Sequence, residues 1–203
     1  MMQSKLRVIG ITGITGSGAS TAAGILKDFG GFVISADCLA HDAIKKGQEA
    51  YKKIIETFGE SIQMPGGEIN RKALGALVFG VENEKSRACL ESIIHPVVMA
   101  KISELVNDCK NPFAVIDAPL LIESGLHKEC DEVWLVTASD EVRVSRLMGR
   151  DGIGKTAATK RLSSRQNEEN LKIHADLVIV NNEGIPALRK QVSKLIRAYL
   201  GTS

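Results

Sequence analysis

The sequence contains no Cys-x-x-Cys pair, no run of about 18 apolar residues and no dense cluster of basic residues. Its four cysteines lack the spacing of a zinc site, so we expect reduced structural thiols in a cytoplasmic protein. The short apolar runs predict neither a membrane-spanning segment nor a signal peptide. A net charge of +2 is too small for bulk binding to nucleic acid and favours a small anionic ligand.

Internal repeats, low-complexity segments and flexible interdomain linkers are also missing from the chain. With 203 residues, of which 44% are apolar, the chain is long enough to bury one substantial core. We therefore expect a single domain over residues 1–203, with a helical insertion at about 47–110 and a lid at about 150–167.

Five short apolar runs alternate with longer helical patterns. The runs are LRVIGIT (6–12), GFVIS (31–35), FAVIDA (113–118), EVWLVTA (132–138) and DLVIV (176–180). Several are apolar throughout, which is typical of parallel strands covered on both faces. The first helix is expected at residues 20–29, before Gly30 and Gly31. The sequence predicts an α/β fold with a parallel sheet flanked by helices.

The first strand runs into GITGITGSGAST, residues 10–21, which nearly fits the phosphate-binding pattern G-x-x-x-x-G-K-[S/T]. Glycines let successive amides turn inward, and the start of the next helix adds further donors. Ser20 is placed to bind Mg²⁺, and Thr21 to contact an α-phosphate oxygen or to cap the helix. Ala19 stands where the pattern has lysine. The predicted nucleotide-binding residues of this loop are Gly13, Gly16, Ser17, Gly18, Ala19, Ser20 and Thr21.

Two carboxylates follow predicted strands, at the edge where open α/β sheets bind ligands. Asp37 follows the second strand and could accept a proton from a hydroxyl nucleophile, or cap the next helix. Asp117 ends the third strand and could face Mg²⁺ or its water, or cap a turn, and Glu123 lies beyond it.

A basic segment begins at Arg143 and contains the sequence RDGIGK. Arg146 and Arg150 are four residues apart and would share one helical face, and the glycines could let the following loop close over phosphates. Guanidinium groups suit phosphate oxygens, although a solvated helix face would explain some of these charges.

Taken in order, these stretches resemble the dephospho-CoA kinase family over nearly the whole chain. The matching stretches include SAD at residues 35–37, INRKALGALVF at 69–79, His95 with Pro96, DAPLLIESGL at 117–126, RLMGRD at 146–151 and ADLVIVNNEG at 175–184. A P-loop kinase for nucleosides or nucleotides fits the His-Pro and PLLIESG elements less well.

The resemblance implies a P-loop kinase fold that transfers the ATP γ-phosphoryl group to the ribose 3′-hydroxyl of dephospho-CoA. It implies that Asp37 is the general base, that Arg146 and Arg150 stabilise the transferring phosphate, and that Ser20 binds magnesium. By the same resemblance, Asn181 contributes to the nucleotide site. The residues expected to contact dephospho-CoA are Asp37, His41, Arg71, His95 and Glu123.

The chain departs from the family pattern at Ser35, which replaces an acid of lesser importance, and at Ala19. Loss of the lysine removes a positive charge where negative charge is rearranged during transfer. Three interpretations follow: a kinase in which lid cations replace the lysine, a catalytically weak or inactive nucleotide or CoA binder, and an engineered variant of an ordinary kinase.

Overall fold

A computed structural model describes residues 6–162 and 168–201 of the chain. The strands are β1 (Arg7–Gly13), β2 (Phe32–Ser35), β3 (Phe113–Asp117), β4 (Glu132–Thr137) and β5 (Leu177–Val180). The helices are α1 (Ala19–Asp28), α2 (Ala36–Ala43), α3 (Glu49–Phe58), α4 (Arg71–Val78), α5 (Glu84–Asn107), α6 (Asp140–Asp151), α7 (Lys155–Leu162), α8 (Glu168–Ile173) and α9 (Ile185–Leu200).

The strands form one sheet in the order β2-β3-β1-β4-β5. Strand β1 pairs in parallel with β3 and β4, and β4 pairs in parallel with β5. The register places Asp117 beside Ile11 and Val136 beside Gly13, so the carboxyl ends of three strands meet at one edge. The predicted α/β architecture and all five predicted strands are confirmed.

One face of the sheet is covered by α1 and α9. The core on this face takes alternate residues of each strand, as the pleat requires, together with apolar residues of both helices. Its members include Ile9, Ile11, Ala22, Leu26, Phe113, Val115, Trp134, Val136, Ile179, Leu188 and Val192. Burial of these side chains stabilises the sheet and fixes where α1 begins, immediately after the loop that follows β1.

The chain divides into two compact units, of which the first contains Met1–Ile34 and Asp108–Ser203 and the second contains Ser35–Asn107. The second unit is helical, from α2 to α5, with its own apolar core. A turn lies at MPGGE, residues 64–68, where Gly67 N–H donates to the Met64 carbonyl at 2.7 Å. An isolated antiparallel bridge joins Gln63 and Ile69 on either side of it.

The segment expected to form a lid begins at the end of α6, where Gly152 adopts a left-handed conformation and ends the helix. Helix α7 follows, and residues 163–167, with which the predicted lid ends, lie outside the described residues. In the part of the chain that the structure describes, no helix is long and apolar enough to cross a membrane.

Candidate active site

The glycine-rich loop between β1 and α1 depends on two close backbone approaches. A Cβ atom at Gly13 would lie 2.5 Å from Ser17 Oγ and 2.6 Å from the Val136 carbonyl oxygen. Gly18 has φ +97°, and a Cβ atom there would lie 2.5 Å from Asn181 Nδ2. Both positions require glycine, because a side chain would push the loop away from β4 and from Asn181.

Helix α1 begins at Ala19 with an uncapped amino end. Its N-cap residue is Gly18, which supplies no side-chain hydrogen bond, and the first turn contains no acidic residue. Ser20 and Thr21 are exposed in this turn, and Ala19 is half-buried. The amino end therefore presents backbone N–H groups and the positive end of the helix dipole, which together favour a phosphate.

Two arginines of α6 donate to the carbonyl oxygens of the loop. Arg143 Nε donates to Thr15 at 2.9 Å. Arg146 Nη1 donates to Gly16 at 3.3 Å and to Ser17 at 3.1 Å. Three successive loop carbonyls are thus held by guanidinium groups from one helix.

Asn181 follows β5 and lies against the same loop. Its side chain is 4% exposed, and its Nδ2 donates to the Ser17 carbonyl at 2.7 Å. Arg146 Nη2 donates to the Asn181 carbonyl at 2.9 Å and to its Oδ1 at 3.2 Å. The structure therefore brings together Arg146, Asn181 and the loop, which were predicted separately.

Asp117 lies at the end of β3, beside Ile11 of β1 and therefore two residues from the start of the loop. The end of β1 and the segment after β3 are also joined by a hydrogen bond from Thr12 Oγ1 to the Pro119 carbonyl at 3.2 Å. Glu123 is exposed in this segment. Asp117 is thus held at the same edge of the sheet as the phosphate-binding loop.

The donor set at this edge suits magnesium better than a metal held entirely by protein. Among residues 6–162 and 168–201, no group of three or more His, Cys, Asp or Glu side chains could hold a metal ion. Mg²⁺ usually takes one or two protein oxygens and completes its shell with water and substrate phosphates. A hydroxyl from Ser20 and a carboxylate from Asp117 fit that pattern.

Asp37 lies in the first turn of α2, directly after β2, and its side chain is exposed. The N-cap of this helix is Ser35, whose hydroxyl accepts a hydrogen bond from Cys38 N–H at 3.3 Å. The alternative that Asp37 is the cap is therefore wrong. Its carboxylate remains a candidate proton acceptor.

Three further predicted substrate-binding residues lie in the second unit. His41 is exposed on α2, Arg71 is the first residue of α4, and His95 is half-buried within α5. The pKa of Asp42 is lowered, chiefly by the hydrogen bond and charge of Lys45, with smaller effects from His41 and Arg71. His41 and Arg71 therefore lie near the same carboxylate, that of Asp42.

Arg150 is exposed near the end of α6 and makes two hydrogen bonds to Asp151, at 2.7 and 3.1 Å. These bonds raise the pKa of Arg150 and lower the pKa of Asp151. Arg161 of α7 pairs with the same carboxylate. The predicted phosphate-stabilising residue is therefore held beside an anion that a phosphate could replace.

Sequence reasoning placed Arg143 in the basic segment but gave it no site role. The residue is only 7% exposed, and Asp140 accepts from its Nη1 at 2.8 Å. Its spacing of three from Arg146 was the available signal, because residues three apart share a helical face.

A family model described as dephospho-CoA kinase matches residues 7–187. Dephospho-CoA kinase of Carboxydothermus hydrogenoformans is 36% identical over 198 residues, covering 96% of this chain and 95% of the relative. The Bacillus licheniformis enzyme of the same name is 38% identical over 195 residues, covering 95% and 96%.

Solved structures agree with these relatives. The Campylobacter jejuni dephospho-CoA kinase has a TM-score of 0.69 at 28% identity, with 96% of this chain and 97% of that chain covered. A Thermus thermophilus protein reaches 0.80 at 31% identity, with 97% and 99% covered. An Acinetobacter baumannii shikimate kinase shares the fold alone. Its TM-score is 0.55 at 15% identity, with 98% of this chain and 95% of that chain covered. The predicted P-loop kinase fold is confirmed, and the chain belongs to the dephospho-CoA kinase family of phosphotransferases.

Proposed function

We propose that this chain transfers the γ-phosphoryl group of ATP to the ribose 3′-hydroxyl of dephospho-CoA, which is the last step of coenzyme A synthesis. The proposal rests on membership of the family together with the phosphate-binding loop, whose carbonyls are held by Arg143 and Arg146. Backbone donors of the loop and of the first turn of α1 would bind the ATP phosphates without a lysine. The four free cysteines support a cytoplasmic location.

In this proposal, Asp37 accepts the proton of the attacking hydroxyl as the new bond to phosphorus forms. Ser20 and Asp117 would hold Mg²⁺, which neutralises phosphate charge when it is bound. Arg150 would exchange Asp151 for the transferring phosphate, and Arg146 would act from the side of the loop. The residues proposed to bind dephospho-CoA are His41, Arg71, His95 and Glu123.

Ala19 was the reason to consider a non-catalytic nucleotide or CoA binder. The similar proteins give that alternative no support over the kinase, because they are named as enzymes. Lys155, exposed at the start of α7, is one cation that could replace the missing lysine.

The test compares the unsubstituted chain with Ala19→Lys in an assay of ATP-dependent phosphorylation of dephospho-CoA. We expect transfer by the unsubstituted chain and a rise in turnover of at least about tenfold for Ala19→Lys, equivalent to about 1.4 kcal/mol. Gly24→Lys is the matched control, because it adds the same charge to α1 at an exposed position where a Cβ atom meets no neighbour. It should leave turnover unchanged.

A second substitution locates the compensating charge. If Lys155 already replaces the lysine, Lys155→Ala should abolish transfer, and Ala19→Lys alone should add little. Ala19→Lys combined with Lys155→Ala should then restore transfer. Absence of transfer in the unsubstituted chain and in Ala19→Lys, with retained binding of ATP or dephospho-CoA, would replace the kinase proposal by the non-catalytic binder.

A further inference from the structure

The contacts of α6 with the loop determine which way the loop peptides point. In a trans peptide unit, the carbonyl oxygen and the next N–H point in opposite directions. The carbonyls of Thr15 and Ser17 point to guanidinium groups, so the N–H groups of Gly16 and Gly18 point away from α6. The intervening Ser17 N–H donates to the Ile14 carbonyl at 2.9 Å and closes the loop.

The same contacts polarise the loop. A cation at a carbonyl oxygen draws electron density along the peptide unit, so the N–H at its other end becomes a stronger donor. Hydrogen bonds from charged donors are also about twice as strong as neutral ones. Two guanidinium groups on one side of the loop therefore favour an anion on the other side, which matters more when residue 19 carries no charge.

Arg143 is arranged for this role by burial and by a fixed partner. Its guanidinium is desolvated, and desolvation of a charge costs free energy unless hydrogen bonds and nearby anions offset it. Asp140 supplies one anion, but its side chain is 79% exposed and therefore offsets only part of that cost. A phosphate bound on the other side of the loop would supply a second anion for this guanidinium.

We propose that Arg143 is a positioning residue for nucleotide binding, and that Arg143, Arg146 and Asn181 form a P-loop clamp. The clamp holds the carbonyls of residues 15–17 so that the amides of Gly16 and Gly18 face the phosphates of the nucleotide. This inference rests on the proposed function for its ligand. It assigns Arg143 a role through the loop backbone and not through contact with the reacting atoms.

The experiment measures ADP affinity by calorimetry for the unsubstituted chain, Arg143→Met and Arg143→Lys. We expect Arg143→Met to raise the ADP Kd by about tenfold, because one charged hydrogen bond to the loop is lost. Arg143→Lys should recover part of that loss, since it keeps the charge with a single-point donor. Arg87→Met is the matched control, because Arg87 forms an exposed ion pair with Glu91 in the second unit. It should leave the ADP Kd within about twofold.

A second readout separates positioning from a general loss of stability. Hydrogen exchange is measured in the ADP complex, where the proposal has the phosphates accept from the amides of Gly16 and Gly18. Exchange at these two amides should accelerate in Arg143→Met by at least about tenfold, whereas exchange in β3 should stay unchanged. Fluorescence of Trp134, which is 1% exposed, reports whether each variant is folded.

If Arg143→Met does not fold, Asp140→Asn replaces it, because Asp140 is exposed and orients the same guanidinium. That variant should weaken ADP binding by about threefold, the cost of a partly exposed charged hydrogen bond.

Folded Arg143→Met, or folded Asp140→Asn in its place, with the ADP affinity and glycine exchange of the unsubstituted chain would overturn the clamp. Phosphorylation of dephospho-CoA, assayed in the same preparations, tests the proposed function separately. If the unsubstituted chain transfers no phosphate while Arg143→Met still weakens ADP binding, the kinase proposal fails and the clamp stands. If the unsubstituted chain transfers phosphate and Arg143→Met changes neither ADP binding nor exchange, the kinase proposal stands and the clamp fails.

Discussion

A Cβ atom at Gly10 would lie 2.6 Å from the Sγ atom of Cys130, so the central strand and the segment before β4 meet without room for a methyl group. The Cδ2 atom of Leu121 would be 2.8 Å from the same Cβ. Glycine is therefore required at this position for packing.

We expect Gly10→Ala to lower the free energy of unfolding by about 1–3 kcal/mol, because the core around β1 would be overpacked. Gly24→Ala is the control. It lies in α1 where an added Cβ meets no neighbour, and it should raise stability by up to about 1 kcal/mol through helix propensity. Urea denaturation measures both, and equal stabilities for Gly10→Ala and the unsubstituted chain would contradict the packing argument.

The thiol of Cys130 should be unreactive in the folded protein. Burial raises its pKa from 9.0 to about 12, and the charges of Asp131 and Glu129 act in the same direction. Because the thiolate is the reactive form, iodoacetamide at about pH 8 should label the exposed Cys38 and Cys89 and spare Cys130 until the chain is unfolded. Mass spectrometry of the labelled peptides gives the result, and rapid labelling of native Cys130 would refute it.

The same shift predicts a loss of stability in alkali. A pKa that is higher in the folded state stabilises the protein fully below pH 9.0, and this stabilisation is lost as the pH rises through about 12. Cys130→Ala should remove this component from the pH dependence of unfolding. Burial also raises the pKa of Tyr199 to about 12. The part of the pH dependence that remains in Cys130→Ala should therefore be removed by Tyr199→Phe.

Asp37→Asn should lower turnover of dephospho-CoA by at least about a hundredfold, because the amide cannot accept the hydroxyl proton. The ATP Kd should change little, since the proposal assigns nucleotide binding to the loop. Asp108→Asn, an exposed aspartate after α5, is the control for removal of one carboxylate. Unchanged turnover in Asp37→Asn would reject Asp37 as the base.

Arg150→Ala should lower turnover by at least about tenfold and raise the Michaelis constant for ATP by less, if its guanidinium stabilises the transferring phosphate. Arg161→Ala removes the other arginine paired with Asp151 and serves as the comparison. Steady-state kinetics at several ATP concentrations separates the two constants. A rise in the Michaelis constant alone would make Arg150 a binding residue.

The sheet could be predicted from sequence because its strands are short, apolar runs that parallel pairing buries on both faces. Its order, with β1 between β3 and β4, has no local signal, because it joins strands that are far apart in the sequence. One alternative made Asp37 the cap of α2, whereas the cap is Ser35. Both residue types are good caps, and only the backbone decides which one precedes the helix.

The loop itself was predicted from its glycines, whereas its support was missed. The hydrogen bond of Arg143 to Thr15 joins residues 128 apart, and an arginine looks the same in sequence whether it faces solvent or a carbonyl. The resemblance assigned Asn181 to the nucleotide site. In the structure, the Asn181 side chain contacts the loop backbone, so any effect on the nucleotide can pass through Ser17.

The distance in sequence between the loop and its supports has a consequence for biosynthesis. Asn181 lies 164 residues after Ser17, and β4, α6 and β5 must all be in place before the loop carbonyls gain their partners. A ribosome-bound chain that has emerged only as far as α5 contains the whole glycine-rich sequence but none of the residues that hold it. Nucleotide binding would then begin only after α6 and β5 have emerged, and a chain truncated before α6 would compete poorly for ATP with a chain that contains them.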